Sequence, residues 1–161
     1  MKEEIFIKMA LDAWQTYIKR TDDLFNELPD EKLANEVSSG RNSGTYLLGH
    51  LIAVHDRMLP QLGLGEALYP ELYEPFVAQP DKAVKTLPPV SDLRKYWKKV
   101  TEKLNEGISR VKPDDWFSRH NVVSEEDFKK EPHRNKLNLI INRTNHLAAH
   151  YGQLVFLKER S

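Results

Sequence analysis

The chain has 161 residues, 40% of them apolar and 30% charged, a balance that suits one soluble globular domain and excludes a disordered chain. Lys+Arg and Asp+Glu both number 24, so the formal net charge is zero, which argues against a surface built for nucleic acid. There is no cysteine, so disulfides, thiolate ligands and a cysteine nucleophile are excluded, and any metal site must draw on His, Asp or Glu.

The start, Met1-Lys2-Glu3-Glu4 followed by an apolar stretch broken at Lys8 and Asp12, does not read as a signal peptide. No run approaches the length of a membrane span, so a cytoplasmic protein without membrane partners is expected. The first helix is predicted from about Glu3 to Glu27. Phe6, Met9, Ala13, Tyr17, Leu24 and Leu28 form one apolar ridge, and Ile7, Leu11, Trp14, Ile18 and Phe25 a second. Two ridges predict two neighbours, or one neighbour and a second subunit. Leu28-Pro29-Asp30 ends the helix, since proline disfavours a helical residue before it.

A second helix is predicted from about Ser43 to Leu62, capped by Asn42 or Ser43. A third begins with Ser91 as its cap after Pro88-Pro89 and carries Leu93, Trp97, Val100, Leu104, Ile108 and Val111 at spacings of three and four. The fourth, from about Asn135 to Glu159, is apolar over much of its circumference, as a central or interfacial helix is. Residues 63–90 are proline-rich, with a short helix near Glu66–Tyr73, and Ser124-Glu125-Glu126-Asp127 starts another helical turn. One domain over 1–161 is predicted: all-α, a four-helix bundle with a long crossover connection between helices two and three.

Six histidines are present. His146 and His150 lie four apart on the fourth helix, so they stack on one face about one turn apart. That spacing suits two ligands of one metal ion, but Leu147-Ala148-Ala149 between them lacks the Glu of a metalloprotease motif. His50 shares a face of the second helix with Tyr46, Leu47, Val54 and Arg57. It sits about 12 Å from the start of that helix, and His150 about 13 Å from the end of the fourth, so antiparallel packing brings them level. Spacing alone leaves open whether these are ligands or hydrogen-bonded core histidines. His55 points about 140° away from His50, and a surface pair with Asp56 is expected for it. His120 and His133 read as solvated loop residues, with a proton-carrying role at the bundle end as the alternative.

Tyr46-Leu47-Leu48-Gly49-His50-Leu51 and Asn145-His146-Leu147-Ala148-Ala149-His150-Tyr151-Gly152-Gln153-Leu154 together resemble the DinB/YfiT-like superfamily of metalloenzymes. The resemblance covers essentially the whole chain, and the second stretch is the more specific. It implies a divalent metal, often zinc or nickel, held by His50, His146 and His150, and often a dimer. It implies further a small-molecule substrate and, in members of known activity, a thiol-dependent transferase using bacillithiol, mycothiol or glutathione, or a related isomerase.

Three imidazoles would leave a coordination position open, as catalytic zinc sites do, and could activate a thiol or water without a protein base. A cysteine-free chain would take that thiol as a cosubstrate. A metal-dependent hydrolase and a non-catalytic metal-binding stress protein are the competing readings; in the last, a fourth ligand would come from His55, His120 or His133. Asn142 and Gln153, one turn from His146 and His150, are candidates to support the ligands. Arg41-Asn42 and Arg134-Asn135, each before a histidine-bearing helix, either hold an anion near the helix dipole or provide an Asn cap beside a solvated Arg.

Overall fold

The computed structural model describes residues 2–158. Among them are helices and turns but no named strand; two isolated bridges, Glu36 to Ser43 and Arg119 to Asn135, are the whole of the β pairing. No helix in this region is long and apolar enough to cross a membrane.

Helix α1 (Lys2–Glu27) buries Ile7, Trp14, Ile18, Thr21, Leu24 and Phe25, most of its second ridge together with Leu24 of the first. The first ridge divides: Phe6, Met9 and Ala13 are exposed, whereas Leu24 and Leu28 are buried in the core. The helix ends where Pro29 follows, and Arg94 reaches back to its last turn. The Arg94 guanidinium donates to the carbonyls of Phe25 and Leu28 and to Asp30 Oδ1, which satisfies acceptors that a helix end leaves without partners. The short α2 (Asp30–Leu33) follows, starting at Pro29.

Helix α3 (Gly44–Asp56) is capped by Ser43, whose hydroxyl accepts from the Tyr46 amide. The predicted second helix is interrupted at Arg57 and resumes as α4 (Met58–Leu62). Pro60 explains the break, because it has no amide proton to return to the Asp56 carbonyl. Gly63 then adopts a left-handed φ of 74°, the usual way to close a helix.

The connection from 63 to 89 runs back along α3 as a strap. Leu68 and Tyr69 amides donate to the Asp56 carboxylate at 2.7 Å each. A short 3-10 turn (Pro70–Leu72) and a π turn (Glu74–Ala78) follow, in place of the single turn expected near Glu66–Tyr73. Tyr46 Oη then donates to Gln79 O at 2.8 Å, and the Ser43 amide donates to Asp81 Oδ2 at 2.6 Å. That last carboxylate lies at the N-terminus of α3, where negative charge is favoured.

Helix α5 (Val90–Ser109) buries Leu93, Trp97, Val100, Leu104 and Ile108 as its periodicity requires. Ser91 is not its cap: Pro89 occupies that position, with no side-chain bond. Two consecutive prolines hold the chain extended up to residue 89, and helix begins immediately after. Helix α6 (Glu125–Lys130) starts from Ser124, whose hydroxyl accepts from the Asp127 amide. Helix α7 (Lys136–Leu154) starts from Asn135 and passes into a 3-10 turn, Val155–Leu157. The last predicted residue of that helix, Glu159, lies outside the described residues.

Pairwise contacts fix the directions. Gln15 meets Asn105 and Asp22 meets Trp97, so α1 and α5 are antiparallel. Tyr17 meets Tyr151 and Glu27 meets Lys158, so α1 and α7 are parallel. Gly44 lies against Leu157 while His50 meets His146 and His150. Helices α3 and α7 are therefore antiparallel, the arrangement that brings the histidines level.

Candidate metal centre

His50, on α3, directs Nδ1 to the Phe76 carbonyl at 2.8 Å. A carbonyl only accepts, so His50 Nδ1 carries the proton and its Nε2 presents a lone pair. His150 is arranged in the same way by a different device: Nδ1 lies 2.8 Å from Gln153 Oε1, three residues on along α7. Its Nε2 is likewise left as an acceptor. Both of these Nε2 atoms lie 3.1 Å from His146 Nε2.

This triangle cannot be satisfied by hydrogen bonds alone. His146 can place at most one proton on Nε2 and direct it at one neighbour, leaving the lone pair of the other without a donor. A cation resolves the conflict. Nitrogens about 2.0–2.1 Å from a tetrahedral zinc lie roughly 3.3 Å apart, close to the observed spacing. The three ligand atoms all fall within 4.8 Å of one another. The committed Nδ1 protons of His50 and His150 are the outer-shell bonds that orient metal-binding imidazoles.

Electrostatics favour the neutral form of His50 and His146, the form a metal needs. Burial pushes His50 below the ordinary histidine range, against the Phe76 carbonyl, which pulls it up; His150 and Arg143 add to the lowering. Burial, then His150, His50 and Arg143, hold His146 down to about 4. The His146 Nδ1 is buried and has no hydrogen-bonding partner.

His55 is not a surface residue paired with Asp56. It is wholly buried between Trp14 and Trp97, with ring centroids 5.1 and 5.4 Å away. Asp56 is buried as well and accepts from the strap amides. The expectation failed because α3 is covered on every side, so an angle of 140° leads to the second flank of the core instead of to water. His120 is half-buried and its Nδ1 has no partner, whereas His133 is exposed as expected.

The chain matches the family model of the DinB superfamily over residues 13–154. The chain belongs to the DinB superfamily. No curated protein matches it. In this DinB-superfamily protein the histidine cluster fits a metal-binding role.

The remaining sequence candidates divide. Asn142 is exposed. Asn135 is the α7 cap, its side chain accepting from the Asn138 amide at 2.9 Å, and Arg134 pairs with Glu131 at 3.3 Å. Ser43 takes the capping role that Asn42 was a candidate for. Arg41 and Asn42 instead line an open cleft of about 560 Å³ with Val37, Gly40, Gln153 and Phe156. Gln153 thus borders this cleft with the same side chain that holds His150. Another cleft, about 630 Å³, runs between α1 and α5 and touches none of the three histidines.

Two elements of the site have no counterpart in the sequence reading. The Phe76 carbonyl is main chain and leaves no signature in residue type. Arg143 does leave one: it precedes His146 by three and His150 by seven, on the same face of α7.

Proposed function

We propose that His50, His146 and His150 hold one divalent metal ion, zinc or nickel, and that the protein uses it to transfer a small thiol to a small-molecule substrate. The observation that carries this reading is the convergence of three Nε2 atoms, two of them fixed as lone pairs by bonds on the opposite side of the ring. Membership of the DinB superfamily supports it. We read α1, α3, α5 and α7 as a four-helix bundle in one domain, with the 63–89 strap as its crossover.

A divalent ion with three neutral imidazoles supplies Lewis acidity that brings the pKa of a thiol or water toward neutrality. The chain's own residues set the conditions for that chemistry. His50 and His150 are held in the ligating tautomer by Phe76 O and Gln153 Oε1. The absence of cysteine means that the nucleophilic sulfur enters with a cosubstrate such as a low-molecular-weight thiol.

Zinc or nickel offered to the purified chain should be retained at about one ion per chain, the stoichiometry of a single three-imidazole site, measured by elemental analysis. His150→Ala should abolish tight retention, and His55→Leu should leave it nearly intact. Retention of no metal would overturn the assignment, and dependence on His55 in place of His150 would show that the ligand set is wrong. Turnover that proceeds without an added thiol would replace the transferase with a hydrolase.

A further inference from the structure

Arg143 is a cation without a counter-ion. Its Nε is buried and has no hydrogen-bonding partner, and no carboxylate or carbonyl pairs with the guanidinium among the described residues. The charge that bears on it is that of Arg57, also positive. Half-buried guanidinium groups are normally matched by acids, because desolvating an unpaired charge is costly. Arg143, half-buried and unpaired, therefore calls for an anion, with the exposed Arg57 as a second positive charge nearby.

Helical register places the pair. Arg57 lies seven residues beyond His50 and Arg143 seven residues before His150. Because α3 and α7 are antiparallel, both steps lead the same way, to a level about 10 Å from the histidines along the helix axes. Long side chains on α7 lean toward its N-terminus, so Arg143 extends to that level. Arg57 is anchored there from the other side, its guanidinium stacked 4.3 Å over the Tyr73 ring on the strap. Burial and the positive charges of Arg134, Arg119 and Arg143 also depress the half-buried His120, so Arg143 is one of several cations at this end of the α3–α7 seam, of which Arg134 is already paired with Glu131.

We propose that Arg143, with Arg57 opposite it, forms an oxyanion-binding subsite beside the histidine cluster, taking the carboxylate or phosphate group of a small molecule. The planar fork of a guanidinium suits either group. That the anion belongs to a substrate of the metal centre rests on the function proposed above; the subsite itself does not. On that reading the substrate is an anion whose charged group lies several bonds from its reacting atom.

The test is a titration of inorganic phosphate into the full-length chain, metal-free and zinc-loaded, at constant ionic strength. The Arg143 side-chain Nε–H resonance is followed by nuclear magnetic resonance, and affinity by calorimetry. The resonance should move and saturate in both forms. Arg143→Met should weaken phosphate binding roughly tenfold or more, as loss of a charge-assisted contact does, with zinc content unchanged. Arg143→Lys should retain part of the affinity, and Lys95→Met, near the start of α5 at the other end of the bundle, should retain all of it. An unresponsive Arg143 resonance in the parent protein would overturn the proposal even if the variants failed to fold. So would phosphate binding that required zinc and ignored residue 143. Failure to retain zinc with phosphate binding intact would overturn the metal reading alone.

Discussion

His55 places two ring nitrogens in the interior with no hydrogen-bonding partner, beside a Trp14 Nε1 in the same condition. Burial holds its pKa well below the ordinary value, with the nearby imidazoles and Arg143 adding to the effect. The consequence for stability has a definite sign. As pH falls through the ordinary histidine pKa of about 6.5, the unfolded chain takes up a proton that folded His55 refuses. Stability is therefore lost on the acid side, at up to about 1.4 kcal/mol per pH unit for this group. Urea denaturation between pH 7 and 5 should show a shallower loss in His55→Leu than in the parent, and parallel losses would show that His55 is not responsible. At this scale the sequence was a partial guide. His146 and His150 were legible because spacing of four is a local property of one helix, whereas the burial of His55 depends on what packs against the far side of α3.

The strap and α3 act as one unit in positioning His50. Gly49 makes their close approach possible, because a Cβ at that position would come within 2.5 Å of three ring carbons of Phe76, which is itself fully buried. Gly49→Ala should therefore destabilise the protein by about 1–3 kcal/mol through overpacking. It should also weaken zinc retention, since displacing residue 76 moves the carbonyl that orients His50. Thermal melting and metal affinity measured together check this, and an unchanged melting temperature would mean that the strap yields freely. The four long helices were legible because each repeats apolar residues at three and four. The strap was not, since its order comes from single hydrogen bonds to α3, such as Tyr46 to Gln79, that no periodicity announces.

At the scale of the molecule, one feature the core does not explain is the apolar face near the start of α1. Ile5, Phe6 and Met9 are 56%, 52% and 64% exposed, a cluster of apolar side chains that a monomer would leave in water. We propose that this face forms a homodimer contact. Light scattering should give twice the chain mass, and Phe6→Glu with Met9→Glu should return the monomer; a monomeric parent would refute the assignment. The apolar positions of α1 were visible in the sequence, but which of them meet the core was not, because that choice is made by helices distant in the chain.

Of the bonds that orient the ligands, the one to His50 ends on a main-chain oxygen. Replacing residue 76 alters a ring and leaves the acceptor in place, so a scan that truncates every side chain in turn would pass over it. Genetic sensitivity at this imidazole is displaced onto neighbours that merely shape the local path of the backbone, and tolerance at position 76 would say nothing about whether its oxygen is needed.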